Sequence, residues 1–193
     1  MENNALTAGV SPDGLKNRTG IRILICWLLC NSSELLTADD VTDLICGNRL
    51  ANYFEVCDAI AQLVEGGNID KDPAGLLLPN DDTRLAASLI GDLPLTVREK
   101  SAAALESFIR RRISMRENRV VIEPLEIGCR VSCTIMNGSE ELMSVSMYVP
   151  SKQYAERIRD RFFDDTEQMY RQIFAQLTGD NSLSNTPQDS SDE

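Results

Sequence analysis

The hydrophobic period of this chain changes near residue 118, and that change limits the folds open to it. Before it, apolar residues recur every three or four positions; from there to about residue 150 they alternate, and a helical stripe closes the chain. A 3.6-residue period buries one stripe of a helix, and a two-residue period buries one face of a strand. A chain that keeps the two periods apart is expected to be α+β, with helices gathered first and a sheet later.

The helical half is punctuated by caps. Ile21, Leu24, Ile25, Leu28 and Leu29 share one face of a first helix within Gly20–Asn31. In Leu36-Thr37-Ala38-Asp39-Asp40-Val41, Thr37 is placed to cap a second helix with Asp40 at the third position. Leu36 and Val41 flank it as a hydrophobic staple. That helix is expected to reach Cys46, with Gly47 just beyond its end. Asn52 repeats the pattern, with Glu55 three residues on. The third helix turns Val56, Ala59, Ile60, Leu63 and Val64 inward and stops at Gly66-Gly67. Ile69-Asp70-Lys71, a turn at Asp72-Pro73-Ala74-Gly75, and Leu76-Leu77-Leu78 then read as a short hairpin. Three helices followed by such a hairpin give a winged helix-turn-helix domain over residues 17–93. Asp81 or Asp82 is expected to cap a further short helix ending near Gly91. A basic connecting helix follows over 94–118.

In the alternating half, Cys129, Val131, Cys133 and Ile135 oppose Arg130, Ser132 and Thr134, and Asn137-Gly138 marks a hairpin. The return strand carries Met143, Val145, Met147 and Val149 on one side. With a strand at Arg119–Glu126, this makes a three-stranded antiparallel sheet. One long amphipathic helix starting at Ser151, with Tyr154, Ile158, Phe162, Tyr170, Ile173, Phe174 and Leu177 on its apolar side, is expected to cover it. The β-β-β-α domain spans 119–178. Phe162 and Phe163 are adjacent, so one of them is expected outside. A spare apolar edge on that helix predicts a homodimer formed through it. Residues 1–16 and the acidic tail 179–193 read as disordered.

The order of these parts resembles a family of bacterial winged-helix proteins of similar length, catalogued as a domain of unknown function. The resemblance rests on Ile21–Cys30, Leu36-Thr37, Asn52-Tyr53-Phe54, Leu63-Val64-Glu65-Gly66-Gly67, Leu142-Met143-Ser144-Val145 and Val149-Pro150-Ser151-Lys152, and runs from Gly20 to Leu177. It implies a winged-helix transcriptional regulator, with no catalytic residues and no ligand. The sequence departs from the pattern at Leu78-Pro79-Asn80-Asp81-Asp82, which lacks the Thr and Gly expected after the wing.

Charge bears on that implication. The net charge is −11, and the first 91 residues hold six basic against thirteen acidic side chains. Affinity for DNA comes largely from Lys and Arg on phosphates. The third helix has neither, and its outer face offers Glu55, Asp58 and Gln62. The DNA-contact candidates are therefore Arg49, Asn52, Tyr53 and Lys71, with Arg110, Arg111 and Arg112 from a cluster at the end of the connecting helix. That cluster equally fits a helix C-terminus or an acidic partner. The alternative reading is a winged helix that binds a protein and not DNA.

Enzymatic chemistry has little to work with. There is no histidine to act as a general base, and no phosphate-binding loop or nucleophile-elbow motif. Asp39-Asp40, Asp81-Asp82 and Asp164-Asp165 fall at caps or on a polar face. Cys26 and Cys30, and Cys129 and Cys133, stand four apart. Without histidines or tighter CxxC pairs, the six cysteines read as reduced, packed thiols and not as a metal site. We expect no cofactor and no metal. The longest apolar run, Ile23–Cys30, is too short to span a membrane, and no leader precedes it, so the expected location is the cytoplasm.

Overall fold

The computed structural model describes residues 4–179. The chain divides into two compact units, Met1–Ile109 and Arg110–Glu193. Among the described residues there are seven α-helices and two small three-stranded antiparallel sheets, so the class is α+β.

In the first unit α1 spans Arg18–Asn31, and the Asn17 side chain accepts from the Gly20 amide at 2.6 Å. The strand β1, Leu36–Thr37, leads into α2, Ala38–Gly47. Its capping box is complete: the Asp40 amide donates to Thr37 Oγ1 at 3.1 Å, and the Thr37 amide donates to Asp40 Oδ2 at 2.8 Å. The stop differs from expectation. Gly47 is still helical, and the left-handed residue is Arg49, with φ +55°. Helix α3 runs from Tyr53 to Glu65, and Gly67 (φ +72°) turns the chain out of it.

The hairpin forms as β2, Ile69–Lys71, and β3, Leu76–Pro79. Its turn is closed by the Leu76 amide donating to Asp72 Oδ1 at 2.7 Å. β1 adds to the other side of β3, with Leu36 opposite Leu77, giving the order β1-β3-β2. The helix that follows, α4 (Asp81–Ala87), is capped by Asn80 and not by Asp81 or Asp82. Asn80 exchanges hydrogen bonds with Thr83, which is fully buried and also donates to the Asn68 carbonyl. A 3-10 turn, Ser88–Asp92, precedes α5, Leu95–Glu117. The core gathers Ile21, Leu24, Ile25 and Leu28 of α1 with Val41, Ile45, Val56, Ile69, Leu77 and Val97.

Residues 4–16 lie against the turn between α2 and α3. The Ser11 amide donates to the Arg49 carbonyl at 2.8 Å, the Leu15 amide to the Leu50 carbonyl at 2.7 Å, and Leu15 is buried. Composition marked this stretch as polar. Its order comes instead from backbone bonds to a distant turn and one apolar anchor.

In the second unit β4 (Arg119–Pro124), β5 (Cys129–Asn137) and β6 (Glu140–Val149) pair in the order β4-β5-β6. Cys129, Val131, Cys133 and Ile135 are buried on one face, as their alternation requires. On the other face Ser132 meets Ser146 at 3.0 Å and Thr134 meets Ser144 at 3.2 Å. The single long helix expected after Ser151 is two, α6 (Lys152–Asp164) and α7 (Thr166–Thr178). Asp165, at φ −153° and ψ 61°, leaves helical geometry, and its side chain caps α7 at the Gln168 amide. The expectation that one of Phe162 and Phe163 lies outside is also corrected: both are buried, edge to face at 5.5 Å between centroids. Phe162 packs with Cys133, Met143 and Met169, whereas Phe163 packs toward Ile113, Ile135 and Met136. Both belong to one core cluster against the same face of β5, Phe162 leaning toward Met169 and Phe163 toward Ile113. The tail assigned to 179–193 lies, beyond Gly179, outside the described residues.

Candidate functional site

The start of α3 exposes large apolar side chains. Its geometry follows from what holds Asn52 and Glu55. Asn52 caps the helix by accepting from the Phe54 amide at 3.0 Å, and its Nδ2 donates to the Ala8 carbonyl at 2.8 Å. Both ends of the amide are engaged and the residue is buried. Glu55, assigned from sequence to the outer face, is instead 5% exposed. It accepts from the Leu6 amide at 3.0 Å and from Arg18 Nε at 2.9 Å. The segment that folds over this turn made the difference, because it converts an outward position into a covered one. Asp58 and Gln62 do stay outside, joined at 2.7 Å, and Arg22 donates to Gln62.

With these neighbours fixed, Tyr53 and Phe54 are left exposed, at 56% and 70%. Their rings meet edge to face, 5.6 Å apart at 86°. Leu6 is 57% exposed, and its amide is bonded to Glu55, the next residue along. Sequence reasoning named Tyr53 as a contact candidate but not Phe54.

The remaining candidates divide between the units. Arg49 is exposed at the left-handed turn just before α3, with its Nε at 3.5 Å from the Gly9 carbonyl. Lys71 ends β2 and, with Asp39, Glu65, Cys57 and Ala61, borders a groove of about 340 Å³ along α2, α3 and β3. Two carboxylates against one ammonium make that groove unfavourable for a phosphate. In the second unit Arg111 is committed: it donates to Asp160 Oδ1 and to the Asp160 carbonyl, both at 3.1 Å, and also pairs with Asp164. Arg110 is exposed and Arg112 half-buried on the same helix. The structure thus brings Arg49, Asn52 and Tyr53 together at one turn, with Asn52 and Arg111 already bonded elsewhere.

Three carboxylates of the paired aspartates hold local structure. Asp40 and Asp165 cap helices, and Asp164 pairs with Arg111. Burial pushes the Cys26 thiol up to about 11 and raises Cys30, Cys46 and Cys133 as well. A raised thiol is a poor nucleophile at neutral pH. Among the described residues no group of three or more His, Cys, Asp or Glu is placed to hold a metal ion. No helix among them is long and apolar enough to cross a membrane.

Two carboxylates of the first unit titrate low. A hydrogen bond from Lys100 at 2.6 Å brings Asp13 down to about 2. The Arg18 guanidinium, then the Leu6 amide, lower Glu55. An acid whose folded value is depressed stabilises the fold above its unfolded value, near 4, and loses that contribution as pH falls through the folded one. The melting temperature is therefore expected to drop between about pH 4 and pH 2. Glu55→Gln should melt below the parent at pH 7 and converge with it as pH falls through the depressed Glu55 value. Parallel curves across that range would show that Glu55 is not the titrating group.

The family model described as "Domain of unknown function (DUF4364)" matches residues 21–177. No curated protein and no solved structure matches the chain.

Proposed function

Because the chain belongs to this DUF4364 family, we propose, from its own geometry, that the first unit is a winged-helix module that binds a protein partner through the start of α3. The chain is read as a non-enzymatic adaptor or regulator. The winged-helix assignment is supported by the order α1-β1-α2-α3-β2-β3 and by β1 joining the hairpin. Helix-turn-helix units present the outer face and N-terminal turn of the third helix to their target.

The observation that carries the choice of partner is the exposed Tyr53–Phe54 pair beside Leu6. Exposed aromatics at a rigid helix start are the commonest kind of interface anchor, and scattered surface charge is not. Asp58 and Glu65 lie further along the same helix, and α3 holds no Lys or Arg. The matching partner offers an apolar pocket with Lys or Arg at its rim. A homodimer through α7 accompanies this reading, motivated by half-exposed Phe174 and by Leu177 at 81%.

A second reading, DNA binding, is favoured by Arg49 and Lys71, both exposed on the elements flanking α3. One experiment separates the two. The purified chain is used to capture partners from extracts and is titrated with duplex DNA at two salt concentrations. Tyr53→Ala with Phe54→Ala should cut partner recovery at least tenfold, since such anchors contribute about 2 kcal/mol or more each. Melting should stay unchanged, and the DNA titration should be flat. Undiminished recovery by the double variant removes the protein-partner reading. Salt-dependent DNA binding that weakens in Lys71→Gln moves the function to DNA.

A further inference from the structure

In the second unit the sheet and its helices leave a cavity of about 390 Å³, inside the range typical of small-molecule sites. Met143 and Met147 of β6, Met169 and Ile173 of α7, and Ile158 and Phe162 of α6 form its walls. These are apolar, and three are methionines, which adapt to the shape of a guest. Only two charged side chains border it, Arg157 and Arg161, one turn apart on α6.

The charges on α6 are sorted. Glu156 pairs with Lys152 at 3.6 Å and Asp160 with Arg159 at 3.0 Å, so the local carboxylates serve other bases. Arg157 and Arg161 make no ion pair among the described residues. Arg157 lies over the Tyr154 ring at 5.7 Å. Two unpaired guanidiniums beside an apolar chamber, in a chain of net charge −11, are an arrangement that hydration alone does not require. Guanidinium binds carboxylate and phosphate through two parallel donors, and two of them one turn apart can share one anionic head.

The geometry points to a binding site for an amphipathic anion: an aliphatic chain among Met143, Met147 and Met169, and a carboxylate or similar head held by Arg157 and Arg161. A second copy of this chain is a poorer occupant. A two-fold contact at this face would bring four arginines together, and like charges apposed at an interface cost several kcal/mol. The ligand site does not depend on the α3 reading, because every residue in it belongs to the second unit.

The test uses the full chain and decanoate below its micelle concentration, with decyltrimethylammonium as the cationic control, read by calorimetry. Decanoate should bind saturably at one site, and the cation at least tenfold more weakly. Arg157→Gln with Arg161→Gln should weaken decanoate about tenfold without changing the melting temperature. Met147→Trp, which fills the chamber from an exposed strand position, should abolish binding. Absent decanoate binding, equal affinity for both head groups, or affinity unaltered by the arginine pair overturns the site. So does sedimentation showing a dimer that Tyr154→Ala dissociates, because a second copy would then occupy this face.

Discussion

Phe162→Ala is expected to be the most destabilising single truncation in the second unit, costing about 3–5 kcal/mol. Phe162 is fully buried, and it is the largest such side chain among the described residues. It fills the space between β5, β6 and α7, next to Cys133, Met143 and Met169. Removing the ring takes away its transfer free energy and also enlarges a cavity that already exists beside it. The surroundings have little reason to collapse, since the sheet on one side is rigid and the arginines on the other stay hydrated. Small domains are stable by only about 5–15 kcal/mol. The variant should therefore show a large fall in urea midpoint by circular dichroism, with Phe162→Leu losing less than half as much. A fall under about 1 kcal/mol would mean that Met143 and Met169 close over the gap.

Gly128→Ala is expected to be the second large loss, about 2–4 kcal/mol, for two separable reasons. Gly128 sits just before β5 at φ +76°, where L-residues are strained. A Cβ there would also press into the Val149 carbonyl oxygen, well inside contact distance, and approach the Tyr148 ring at 2.8 Å. The tyrosine can swing away. The carbonyl cannot, because Val149 is paired with Cys129 in the β5–β6 ladder. Gly138 is the internal control. Its φ is +61°, but nothing lies within 4 Å of a Cβ built there. Gly138→Ala should therefore show the conformational cost alone, about 1–2 kcal/mol. Asparagine at 128 tolerates the backbone but not the contact, so Gly128→Asn should stay nearly as damaging as alanine. Recovery to the parent midpoint with asparagine would locate the whole effect in φ.

What the sequence made legible was local. The Thr37–Asp40 box, the stop at Gly66-Gly67 and the alternation of Cys129 to Ile135 each depend on residues a few positions apart, and each is in place; the hairpin signalled by Asn137-Gly138 forms too, with its turn one residue on at Gly138-Ser139 because Asn137 pairs with Glu140. What it concealed depends on distance along the chain. Glu55 is covered because Leu6 and Arg18, 49 and 37 residues away, converge on it. No periodicity carries that information. The division of α6 from α7 was hidden for another reason: Asp165 interrupts an apolar stripe that continues in phase beyond it, so the pattern looks like one helix. The cap at Asn80 was missed because two aspartates followed it, and either had the right chemistry. For the candidate surface, Tyr53 was readable from its place beside a cap. Phe54 was not, because exposure of a large apolar side chain is decided by what fails to cover it.

The ordered segment before α1 bears on how the protein is best handled. Trimming to residue 17, the boundary that composition recommends, would remove the Leu6 amide from Glu55, the Ala8 carbonyl from Asn52 and the Leu15 side chain from the core. The shortened protein would be less stable and would present a different α3 surface, with Glu55 held by Arg18 alone next to the aromatic pair. An affinity tag fused directly at the amino end risks the same disturbance. With residues 4–16 kept as they stand, a negative binding result can be credited to the protein and not to its preparation.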